Sequence, residues 1–124
     1  MSMTLIEHIE VGSGGQASIE FVSVGDIPSD YTDLLILVSA RSTRSGQYSD
    51  GLKIVFNSDG TNSSSRYLLG YNNSVSSGTR TILSGGSITA ALATSSTFSS
   101  NSIYIPNYRS SVAKSISTDG VAET

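Results

Sequence analysis

The sequence predicts an all-β protein, an antiparallel β-sandwich of jelly-roll type, and three observations carry that reading. Apolar and polar residues alternate in several short segments, the pattern of strands with one buried face. Clusters of Gly, Ser, Asn and Asp separate those segments at short intervals, and these residues favour turns. No stretch shows the apolar period of an amphipathic helix. At 124 residues the chain is the size of one domain, taken as 1–124.

The first element is a hairpin. Leu5, Ile9 and Val11 alternate with polar residues, as do Ile19 and Phe21 in Ala17 to Val22, and Gly12-Ser13-Gly14-Gly15 between them supplies the reversal. Gly25 to Tyr31 is a connection, because Pro28 cannot donate to a central ladder. Leu34 to Val38 is apolar at every position, which predicts a strand buried on both sides. Arg41 to Gly51 reads as a loop, and Leu52 to Asn57 as a strand with Leu52, Ile54 and Phe56 on one face. After a turn at Ser58 to Ser65 comes a strand at Arg66 to Tyr71, then weaker candidates at Thr79 to Leu83 and Ser87 to Ala93. From Thr97 to Tyr108 the alternation slips between Phe98 and Ile103, predicting a bulge or two short strands closed by Pro106. Val112 to Ser117 is a possible last strand, with a loose end from Asp119. The expected core is Ile19, Phe21, Leu35, Leu37, Ile54 and Phe56.

Composition narrows function mainly by exclusion. Charged residues make up 14% of the chain, and serine roughly a fifth, so its polarity comes from hydroxyls more than ions. The net charge of −3 and scattered basic residues argue against a polyphosphate partner; Arg41 and Arg44, the nearest thing to a cluster, read as a solvated loop. The chain lacks cysteine, so disulfides and thiolate metal sites are out. Its longest apolar run falls far short of the about 20 residues that cross a bilayer, and no cleaved export signal is expected.

Candidate sites are few. His8, the single histidine, sits on the polar side of its segment and is assigned no role. Gly12 to Gly15 precedes a strand and not a helix, so it is a turn and not a phosphate loop. Asn57, Asp59, Thr61 and Asn62 lack the bidentate acid of a calcium loop. Asn62-Ser63-Ser64 and Asn72-Asn73-Ser74 match a glycosylation pattern that is frequent by chance. Asp30 and Asp33 read as turn caps before the central strand. Tyr48, Tyr67, Tyr71, Tyr104 and Tyr108 are the candidate binding face, since a tyrosine offers both a ring for stacking and a hydroxyl; strand cross-pairing would account for them equally well.

Three stretches carry a resemblance: Met3 to Gly15, Ile27-Pro28-Ser29-Asp30-Tyr31-Thr32-Asp33-Leu34, and Ile103-Tyr104-Ile105-Pro106-Asn107-Tyr108. Together they resemble a family of small virion structural proteins of tailed bacteriophages, of cyanophage and other aquatic phage type, over essentially the whole chain. The resemblance implies a β-sandwich on the particle exterior, as head decoration or in a tail fibre or baseplate, and carries over no catalytic residue. It also implies that relatives run on into further strands, so that a chain ending at Thr124 either completes its sandwich with a neighbour's strand or is part of a longer product.

The expectations follow. The protein is a non-enzymatic virion subunit, assembled in the host cytoplasm, with no cofactor. It forms a homotrimer and contacts capsid or tail subunits. The alternative is a tail-fibre or baseplate module that recognises a host surface glycan. A polysaccharide hydrolase working through Asp30, Asp33 or Glu20 is the enzymatic rival.

Overall fold

The computed structural model describes residues 2–21, 27–57 and 61–123. They form seven strands and no helix: β1 Leu34–Val38, β2 Ser49–Lys53, β3 Ser65–Tyr71, β4 Ser74–Arg80, β5 Ser84–Thr89, β6 Ser100–Ile105 and β7 Ser117–Val121. Every strand pair is antiparallel. The sheets are β1-β6-β7, β2-β5 and β3-β4, giving an all-β, sandwich-like fold. The described pairings do not extend to a jelly-roll connectivity.

The core lies where β5 packs on β6 and β7. Ile103 and Ile105 of β6 are each 2% exposed, and with Ala90 and Ala93 they are the buried apolar residues described. Gly85 makes the approach possible, since a Cβ there would stand 2.8 Å from Cδ2 of Leu52 and 3.3 Å from Cδ1 of Ile103. Next to them Asn101 is buried, and its amide nitrogen donates to the carbonyls of Ser87 (3.1 Å) and Gly85 (3.4 Å). Gly86, at φ +103°, leaves room for that amide: a Cβ would come within 2.6 Å of Nδ2. A core holding Thr89, Ser99 and Asn101 beside two isoleucines is small and partly polar.

The β3-β4 ribbon packs mainly on itself. Tyr71 pairs with Ser74 across a two-residue turn in which Asn72 takes φ 51°, a conformation asparagine tolerates. Tyr67 lies across Gly78, and the Arg80 guanidinium sits 4.8 Å from the Tyr67 ring centre.

The structure corrects several sequence expectations. The first reversal is present, with the Gly15 amide donating to the Gly12 carbonyl at 3.0 Å and Gly15 at φ 68°. Its flanks, 5–11 and 17–21, form no strand pair, and Ile9, Val11, Ile19 and Phe21 are exposed because none of the described residues covers them; Val22, Gly25 and Asp26 lie outside the described residues. The strand at Leu34 to Val38 is where the sequence puts it, but one-sided: Leu34, Ile36 and Val38 are partly covered while Leu35 and Leu37 are exposed. Of the expected core, Ile54 and Phe56 are half-buried and the other four are exposed. The strand expected at 52–57 begins earlier, at Ser49, because its ladder to β5 starts with the Ser49–Thr89 pair. β4 is a polar strand with Val75 its one large apolar residue, so alternation did not reveal it. The last strand, β7, begins at Ser117, where the expected Val112 to Ser117 strand was to end, and runs on into the segment from Asp119 read as a loose end.

Candidate functional site

Two motifs about seventy positions apart in sequence meet in the fold. β1 and β6 run antiparallel with Leu34 opposite Ile105, so the residues entering β1 lie beside those leaving β6. There Asp33 accepts two hydrogen bonds, from the Tyr104 hydroxyl (2.6 Å) and from the Asn107 amide (2.7 Å). The Tyr108 amide donates to the Thr32 carbonyl at 3.2 Å, and its hydroxyl donates to the Pro28 carbonyl. The Tyr104 hydroxyl first, then the Asn107 amide, hold the Asp33 carboxyl below its ordinary range. The carboxylate in turn holds the Tyr104 hydroxyl above its own. Asp33 thus ties β6 to the entry of β1, where the sequence expected a local turn cap.

Against this bracket lies an open, mostly polar depression of about 460 Å³, lined by Asp30, Tyr31, Thr32, Asn107, Arg109 and Ser110. A ring, an amide, a carboxylate and a guanidinium side by side are groups that hold a polar, hydroxylated ligand at a surface. Tyr31 and Arg109 were not among the sequence candidates. The available signal was that Tyr31 stands within one of the stretches already singled out and Arg109 directly follows another.

The outer face of the β1-β6-β7 sheet is the second candidate. Register places Leu35 opposite Tyr104, Leu37 opposite Ser102, and Val121 opposite Ser100. Small serines in β6 between Leu37 and Val121 leave a trough of about 390 Å³ that also touches Asp119 and Gly120. Leu37 is 73% and Val121 74% exposed.

The five sequence-predicted tyrosines do not form one face. Tyr67 is engaged by Gly78 and Arg80, Tyr104 by Asp33, and Tyr108 by Pro28. Tyr71 ends the β3-β4 ribbon, and Tyr48 lies just before β2, each about half exposed. Only Tyr104 and Tyr108 share a neighbourhood, at the bracket.

Arg41 is not a solvated loop residue. Its guanidinium donates to the carbonyls of Thr94 (2.7 Å), Ala93 (3.0 Å) and Thr97 (3.1 Å), closing the loop after β5. Arg44 does remain at the surface, paired with Asp50 at 2.9 Å, and with Ser42 it lowers the Asp50 pKa. Glu20 sits in the exposed N-terminal segment and His8 is exposed. Asp59 of the calcium-like run lies outside the described residues, and among those described no cluster of His, Cys, Asp and Glu could hold a metal.

No family model matches the chain, and neither a curated protein nor a solved structure matches it.

Proposed function

We propose that this protein is a non-enzymatic structural subunit of a tailed-phage virion, a homotrimer on the particle exterior that serves as capsid decoration or as a tail component. One observation carries most of the weight. The chain exposes 9297 Å², whereas a compact monomer of its mass exposes about 6,300 Å². Exposed apolar side chains such as Leu35, Leu37, Leu68 and Val121 sit on its strands, and Leu5, Ile19 and Phe21 on its N-terminal segment, which suits a subunit that finishes folding against neighbours. The Asp33 bracket supports the same reading, because it joins two stretches that carry the virion resemblance and engages their polar groups in holding the strands together.

Quantitative mass spectrometry of purified particles from a phage carrying the gene tests the proposal. Copies matched to the capsid lattice support decoration, and a small fixed number supports a tail position. Absence from the particles overturns the virion reading.

The depression beside the bracket favours a second reading, a module that binds host surface glycan. Tyr31→Ala should then abolish adsorption of the isolated protein to host envelope polysaccharide and leave its circular dichroism unchanged. Equal adsorption by the variant removes that reading.

A further inference from the structure

We propose that the N-terminal segment of one copy, residues 4–21, covers the outer face of the β1-β6-β7 sheet of a second copy. The segment has strand-like alternation, a formed reversal at Gly12 to Gly15, exposed apolar side chains and no strand partner among the described residues. The sheet has an uncovered face, walled by Leu37 and Val121 around a trough floored by small side chains. Each surface lacks what the other offers. Backbone groups in a lone extended segment find no ladder, and apolar residues on a bare sheet face find no second layer.

The exposed area suits another copy as the occupant. The surplus over a compact monomer is about 3,000 Å², within the 2,000 to 5,000 Å² range of obligate interfaces. The donating segment and the accepting face are different surfaces, so the contact is head-to-tail and closes into a ring when the rotation permits. In such a ring each subunit donates once and accepts once, so the area it loses is the total of one interface. Ile19, Phe21, Leu35 and Leu37, exposed in the single chain, then form one core between copies. A two-stranded layer over a three-stranded sheet also completes the sandwich locally.

The inference rests on the structural-subunit reading and gives it a partner, and the two fail separately: particle mass spectrometry addresses the place in the virion, and the following experiment addresses the contact and the oligomer it builds. The chain has no cysteine, so the double variant I19C/L37C carries the only two thiols. Light- and heavy-isotope preparations of the full-length variant are mixed, unfolded, refolded together and oxidised gently, and the linked peptides are mapped by mass spectrometry. The expected result is a 19–37 disulfide joining light to heavy chains, with products reaching a closed oligomer in denaturing gels. Sedimentation of the unmodified protein should give that same multiple of the chain mass. A 19–37 disulfide confined to single chains overturns the proposal in favour of the chain's own segment folding back. Free thiols, or a monomer at micromolar concentration, overturn it outright. Both positions are exposed in the single chain, so loss of folding is not expected; F21D provides a second route and should lower the sedimenting mass while keeping the β-type spectrum.

Discussion

The two faces of the β1-β6-β7 sheet are built from the same kinds of residue and have opposite fates. On the inner face, the side packed against β5, Ile103 and Ile105 are almost wholly buried. On the outer face Leu35, Leu37 and Val121 stand in the open. Strand geometry sends neighbours to opposite sides, so an all-apolar strand must always offer a second face. The difference lies in what the rest of the chain supplies: among the described residues, one layer covers the sheet. Burial on the inner face is thus made within the chain, while the outer face is left open by the described residues.

The largest effect is expected where that contrast is sharpest. Ile103→Ala removes a buried side chain and leaves a cavity against Leu52 and the backbone of Gly85, costing about 2 to 5 kcal/mol. A core this small has little to spare, so urea unfolding should shift strongly or the variant should fail to fold. Leu37→Ala removes a similar side chain from the other face and should move the isolated subunit by no more than about 0.5 kcal/mol. In a pair of urea titrations under dilute, unassembled conditions, equal losses from the two variants would erase the distinction between the faces.

A smaller effect tests what holds the inner layer in place. Arg41→Lys keeps the charge but loses the planar fork that reaches the carbonyls of Ala93, Thr94 and Thr97 together. Losing part of this charge-assisted set should cost about 1 to 3 kcal/mol. Hydrogen exchange would report it as faster opening of the Ala90 and Ala93 amides, whose partners are the carbonyls of Tyr48 and Ala90. Unchanged exchange would make the arginine incidental to the loop.

Much of this was legible from sequence and some was not, for identifiable reasons. The all-β class and the span of β1 follow from period and composition, which are local. The sidedness of β1 is not local: five apolar residues in a row do not reveal whether a chain has one covering layer or two. β4 stayed hidden because its register is held by backbone pairing to β3 and a two-residue asparagine turn, with little apolar pattern. The bracket was half visible. Asp33, Tyr104 and Asn107 all stand in stretches singled out from the sequence, but only the β1–β6 register brings them together. Arg41 was misjudged because a long-range guanidinium contact leaves no trace in its neighbours.

The smallest expected effect concerns pH, at the edge where the two faces of the sheet meet the bracket. Asp33 has a folded pKa below its unfolded one, chiefly through the Tyr104 hydroxyl. Its contribution is therefore present above the unfolded value and lost as pH falls below about 4. Tyr104 has a folded pKa above its unfolded one, chiefly through Asp33. That contribution is intact below about pH 10 and lost as pH rises through the higher folded value. The bracket should thus loosen at both extremes and hold across the neutral range. Asp50, lowered mainly by Arg44, adds a second acid-side loss in another part of the molecule, so overall acid stability cannot isolate Asp33. Residue-resolved NMR titration of Tyr104 can. In Asp33→Asn the hydroxyl no longer donates to a carboxylate, and its titration should move down toward the ordinary tyrosine value, while the acid-side change at Asp50 persists. A Tyr104 titration that does not move would show that the hydroxyl is not bound to Asp33, and the link from β6 to the entry of β1 would then rest on the Tyr108 contacts to Thr32 and Pro28.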